Sequence, residues 1–85
     1  MLKPIPVRIA DIYVPAKFKG QLDPAKAAAL ADQIVGDGGL KVPIQVRRDE
    51  AQKRYVLVAG LHRLEAMRSL GEASIDALVV AARKF

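Results

Sequence analysis

The chain has 85 residues, with fourteen Lys and Arg against nine Asp and Glu, a formal charge of +5, and neither cysteine nor tryptophan. A chain this short forms one domain and buries only about 60–70% of the surface its unfolded form exposes, so it needs either a compact core or a partner. Without cysteine there is no disulfide framework, thiolate zinc site or thiol nucleophile, and a single histidine, His62, excludes a multi-histidine metal site. At 52% hydrophobic and 27% charged residues, the composition is that of a globular domain.

The first six residues contain no apolar run of the signal-peptide kind. Val7-Arg8-Ile9 alternates apolar and charged residues and predicts a short strand with one buried face. Residues 13–22, with Pro15 and Gly20, read as a loop. Asp23-Pro24 then opens a helix, because Asp is a favoured N-cap and Pro is preorganised for the first helical position. Ala27, Leu30, Ala31 and Ile34 follow at the spacing of one apolar face, and Gly36-Asp37-Gly38-Gly39 ends the helix.

Residues 43–47 alternate again, and Tyr55-Val56-Leu57-Val58 is rich in β-branched and aromatic residues. The polar stretch between them, residues 48–54, is of hairpin type, so the two strands are expected to pair antiparallel. Gly60 marks a sharp strand-to-helix turn. Residues 61–70 form a second helix with Ala66, Met67 and Leu70 on one side and Gly71 as terminator. A last strand covers residues 74–80, and residues 81–85 are a frayed end or the start of another helix. The apolar run 77–82 is far shorter than the ~20 residues of a membrane span, so the expectation is a cytoplasmic domain with no membrane association. The order β-α-β-β-α-β predicts an α+β fold, a small mixed sheet with two helices packed on it, without internal repeats.

The positive charge is uneven. Residues 41–68 hold Lys41, Arg47, Arg48, Lys53, Arg54, Arg63 and Arg68 against Asp49, Glu50 and Glu65, so most of the excess lies in one stretch. Such a stretch suits a surface that meets nucleic-acid phosphates, with Arg47, Arg48, Lys53 and Arg54 as the contacts, and equally suits a solvated hairpin rim.

The segment richest in chemistry is Gly60-Leu61-His62-Arg63. A glycine at a strand end lets backbone approach a ligand, and the first turn of the next helix offers N–H groups without intrahelical partners. Those donors and the helix dipole favour an anion, and the planar fork of Arg63 suits phosphate oxygens. The same four residues also read as a plain turn in which His62 is solvated and Arg63 pairs with Glu65 or Asp32.

Leu22-Asp23-Pro24-Ala25-Lys26, the Gly-rich turn, Val42-Pro43-Ile44 entering a strand, the hairpin, and Gly60-Leu61-His62-Arg63 together closely resemble the ParB/sulfiredoxin superfamily, from about Val7 to Val80. The resemblance implies a nucleotide site between the two helices. In sulfiredoxins the lysine matching Lys26 and the pair matching His62 and Arg63 hold the phosphates of ATP. In ParB the segment matching Gly60, Leu61, His62 and Arg63 contacts those of CTP. The expected ligand is thus a nucleoside triphosphate, with or without Mg²⁺, and the expected partners are that nucleotide, DNA and a second copy of the chain.

Where this sequence departs from the family it narrows the reading. Leu61 stands where sulfiredoxins need a cysteine, so sulfinic-acid reduction is excluded. Ala29 and Gln33 replace the small hydroxylated residues of the sulfiredoxin helix. Ala59 replaces an acidic residue of the related free-serine kinases, leaving no clear general base, since Asp23 is the helix cap and Glu65 lies after the motif. The chain also lacks the helix-turn-helix and dimerisation parts of a full ParB, so partition is not expected of it alone. The expected function is nucleotide-phosphate binding of ParB type near DNA. The alternatives are a ParB-like nuclease, nucleotide hydrolase or small-molecule kinase, and a basic DNA- or protein-binding module without nucleotide.

Overall fold

The computed structural model of the chain describes residues 3–81. Its first strand, β1 (Ile5–Arg8), forms one edge of the sheet, where Pro6 is tolerated because an edge strand can spare a ladder donor. Only Val7 of this strand is buried, opposite Ile75. The expected strand over residues 7–9 is thus displaced towards the N-terminus. Ile9 begins a 3₁₀ turn (Ile9–Asp11), still buried, with its N–H bonded to the Ala73 carbonyl at 2.9 Å.

Two further elements overlap the stretch 13–22 that the sequence reads as a loop, the first starting one residue before it. A two-residue strand, β2 (Ile12–Tyr13), runs parallel to the fourth strand, and a second 3₁₀ turn covers Ala16–Phe18. A strand of two residues carries no alternation from which it could be read.

The first helix, α1 (Pro24–Gly36), begins where Asp23-Pro24 predicts, the Asp23 side chain accepting from the N–H groups of Ala25 and Lys26. It ends at the Gly-rich turn, where the N–H groups of Asp37, Gly38 and Gly39 bond the carbonyls of Gln33, Val35 and Ile34. The antiparallel hairpin of β3 (Ile44–Asp49) and β4 (Arg54–Ala59) follows, then α2 (Leu61–Ser69) and β5 (Ser74–Val79). The sheet has five strands in the order β1-β5-β3-β4-β2; β5 lies parallel to β3 and antiparallel to β1. The fold is α+β with a mixed sheet, as expected. The expectation for residues 82–85 lies outside the described residues.

The layering explains an uneven burial pattern in α2. Leu61 and Leu64 enter the main core with Ile44, Val46, Leu57, Ile75 and Ala77 of the sheet, whereas Ala66 packs against Ala31 and Ile34 of α1. The helix is therefore sandwiched, sheet on one side and α1 on the other, and its buried residues do not fall on one stripe. Leu70, expected on the buried side, is instead exposed as the C-terminal cap, beyond the last helical turn.

Candidate functional site

The two helices start at the same end of the molecule. Asp23 touches His62 at that end, Ala31 and Ile34 meet Ala66 midway, and Val35 and Leu70 line one recess at the other end, so the helices run in the same direction. Both positive dipole ends therefore lie side by side.

Gly60 makes this arrangement possible. It sits at φ +105°, ψ 31° between β4 and α2, and a Cβ there would lie 2.6 Å from Ile44 Cγ2 and 3.2 Å from Ile44 Cα. Only glycine accepts both this backbone angle and so close an approach of β3. The turn that follows is open. The first helical bond is Leu64 N–H to the Gly60 carbonyl at 2.9 Å, and no side chain caps the helix, so the N–H groups of Leu61, His62 and Arg63 keep their donor capacity. The Leu61 side chain is buried in the core, which leaves this residue only its backbone to offer.

His62 is half-buried, and its Nε2 accepts the Asp23 N–H at 3.0 Å, across 39 residues of chain. Asp23 Oδ1 in turn accepts from Ala25 N–H at 3.0 Å and Lys26 N–H at 3.4 Å. Lys26 thus belongs to the helix end that His62 touches, with an exposed side chain that forms no ion pair among the described residues.

Arg63 is half-buried and lines a recess of about 110 Å³ with Leu30, Gln33, Asp37, Lys41 and Val42. It pairs with neither Glu65 nor Asp32. Glu65 is instead ion-paired with Arg68, whose Nη1 lies 3.4 Å from Glu65 Oε1. The structure therefore gathers Gly60, Leu61, His62, Arg63 and the backbone of Lys26 around one pair of helix ends.

The other basic residues are not part of that group. The hairpin doubles back, so its tip lies the length of β4 from Gly60, about 17 Å at the usual 3.4 Å per residue. Along the hairpin the four residues also divide between faces. Arg47 pairs with Val56 and Asp49 with Arg54, on the face that Tyr13 shares, whereas Arg48 pairs with Tyr55 on the other. Arg48 is engaged locally, with Nε 3.2 Å from Glu50 Oε1 and its guanidinium carbon 5.0 Å from the Tyr55 ring centroid. Lys53 occupies the tip at φ +52°.

Arg54 is more firmly held. Its guanidinium carbon is 4.0 Å from the Tyr13 ring centroid, and its buried Nε lies 3.5 Å from Asp49 Oδ2, near enough for an ion pair though not aligned as a hydrogen bond. Arg54, Tyr13 and Asp49 were legible separately as a charge, an aromatic and an acid. Their contact depends on β2, which the sequence hides.

Among the described residues, no group of three or more His, Asp or Glu side chains comes together as metal ligands, and no helix is long and apolar enough to cross a membrane.

Comparison with known proteins agrees with this architecture. The pattern of the ParB N-terminal domain matches residues 3–84, and the chain belongs to that family. Sulfiredoxin from Arabidopsis thaliana is similar at 28% identity and TM-score 0.80, over 94% of this chain and 86% of that one. A free serine kinase mutant in complex with ADP shares the fold at 20% identity and TM-score 0.77, over 96% of this chain and 32% of the kinase. The C-terminally truncated chromosome-partitioning protein ParB from Caulobacter crescentus, complexed with CTP-γ-S, does so at 17% identity and TM-score 0.76, over 96% of this chain and 46% of that one. This chain thus spans less than half of the kinase and ParB structures that it matches. No curated protein sequence matches it.

Proposed function

We propose that this chain is a nucleotide-binding domain of ParB type that grips a nucleoside triphosphate by its phosphates at the first turn of α2. The observation that carries the reading is the uncapped turn after Gly60, where three N–H donors stand beside the start of a second helix and two cationic residues. In this reading the backbone of Gly60, Leu61, His62 and Arg63 cradles the phosphates. The Arg63 guanidinium binds oxygens two at a time, and Lys26 adds charge from α1.

The nucleotide complexes of the ParB and serine-kinase structures support the class of ligand. A magnesium ion fits only as a passenger. Asp23, at the same helix end, already accepts two backbone N–H groups at Oδ1, so a magnesium ion there would take most of its ligands from the phosphate oxygens and water.

Calorimetry with ATP, CTP, GTP and ADP, each with and without Mg²⁺, tests the proposal. Binding heat with at least one triphosphate, with affinity at least about tenfold weaker in Arg63→Ala, is expected. No heat with any of them at millimolar concentration refutes it.

The DNA side of the reading concerns a separate surface, the hairpin. Exposed Arg48 and Lys53, with half-buried Arg47, meet phosphates there, while Arg54 serves mainly to hold Tyr13. Affinity for duplex DNA should fall steeply with salt, and more shallowly once Arg47 and Arg48 are replaced by alanine. Nuclease, hydrolase or kinase activity remains the second reading of the α2 turn, since phosphoryl transfer depends mainly on positioning and charge neutralisation. Turnover of nucleotide or plasmid DNA no faster than in Arg63→Ala excludes it.

A further inference from the structure

The bond between the two helix starts constrains the chemistry of the only histidine. The Asp23 N–H donates to His62 Nε2 at 3.0 Å. A donor needs a lone pair opposite it, so Nε2 carries no proton and the neutral ring holds its proton on Nδ1. Nδ1 makes no hydrogen bond among the described residues. Asp23 is held on both sides, its N–H by His62 and its carboxylate by the N–H groups of Ala25 and Lys26.

We propose that His62 is the positioning residue of the phosphate site. Through Nε2 it locks the start of α1, and with it Lys26, to the open turn of α2. The same bond fixes the ring in the Nδ1–H tautomer, so the imidazole meets an anion as a single neutral donor through Nδ1. The clamp follows from the free chain alone, whereas the donor role rests on the nucleotide reading above. A histidine that merely decorates the first turn would have no reason to be tied to a backbone amide 39 residues away.

Two-bond ¹H–¹⁵N correlation spectra of the whole chain, recorded where the ring is neutral, read the tautomer directly. Nε2 is expected to be pyridine-like and Nδ1 pyrrole-like; the opposite pattern overturns the clamp. Hydrogen exchange at the Asp23 amide tests it a second way. His62→Ala removes the acceptor and should speed that exchange by about three- to tenfold, the worth of a neutral hydrogen bond. His62→Gln places an amide oxygen near the position of Nε2 and should restore exchange to within about twofold of the original chain. Unchanged exchange in His62→Ala overturns the clamp.

Titration of the same variants with ATP and CTP separates the two roles. His62→Gln restores the acceptor but not the Nδ1 donor, so its affinity should stay several-fold below that of the original chain, at about the level of His62→Ala. Full recovery of affinity in His62→Gln overturns the donor role. If the original chain binds no nucleotide, the nucleotide reading fails and the donor role with it, while the tautomer and the Asp23 exchange still decide the clamp.

Discussion

Gly60→Ala puts the geometry of the α2 turn under a direct stability test. At φ +105° an L side chain pays about 1–3 kcal/mol for its backbone conformation. The new Cβ would also lie 2.6 Å from Ile44 Cγ2, 2.9 Å from Ile44 Cβ and 3.2 Å from Ile44 Cα. Ile44 is 1% exposed and walled in by the sheet core, so neither its side chain nor β3 can give way cheaply. Overpacking of this kind costs about 1–3 kcal/mol more.

The total of roughly 2–6 kcal/mol compares with about 4–13 kcal/mol expected for the whole stability of an 85-residue domain. At 3 kcal/mol the melting temperature should fall by roughly 12–24 °C. Gly71→Ala is the internal control. Its φ is +78°, but nothing lies within 4 Å of the added Cβ, so it bears the backbone cost without the clash. Thermal and urea melts followed by far-ultraviolet circular dichroism compare the two. If Gly60→Ala melts within about 5 °C of Gly71→Ala, the close approach to Ile44 is not what requires glycine there.

Four other substitutions probe Arg63, the hairpin and the helix packing. Arg63→Ala should weaken triphosphate binding by tenfold or more, about the worth of a charge-assisted bond, with a melting temperature within a few degrees of the original, because Arg63 makes no ion pair among the described residues; calorimetry and a thermal melt check both. Arg54→Ala should cost about 1–2 kcal/mol in urea denaturation through loss of the Tyr13 stack and the Asp49 pair, whereas Lys53→Ala at the exposed tip should cost less than about 0.5 kcal/mol. Ala66→Leu should destabilise the chain by about 1–3 kcal/mol, since Ala66 is fully enclosed where α1 rests on α2; a cost below about 0.5 kcal/mol would mean that the helices can separate freely.

What the sequence discloses follows from the range of each interaction. The start of α1 was readable because Asp23 and Pro24 act within one turn, and the hairpin because two alternating runs flank a polar tip. The Gly60 turn was readable for the same local reason. The His62–Asp23 bond was not, since nothing in either residue's neighbours announces a partner 39 positions away. The buried side of α2 was misread at Leu70 because a helix pressed between a sheet and another helix buries two faces, and one stripe does not describe it. The basic stretch 41–68 looked like a single patch because charge was summed along the chain, yet a hairpin returns the chain to where it began and leaves its tip far from the turn that follows.

Leu61 draws these strands together. In the family resemblance its place belongs to a thiol that attacks a substrate, and here the side chain is turned into the core beside Leu64 and the sheet. The position is part of the packing that holds the turn in place. Its backbone N–H still points the way the turn dictates, because a helix start orients its first donors whatever the side chain. Binding and chemistry are therefore separable in this architecture. The free donors of the turn come from Gly60's backbone angle and the helix that follows it, whereas a nucleophile would need a side chain at position 61 that leaves the core. What the turn holds here is the set of donors that backbone geometry alone maintains, and under the nucleotide-binding reading proposed above that set needs no side chain from position 61.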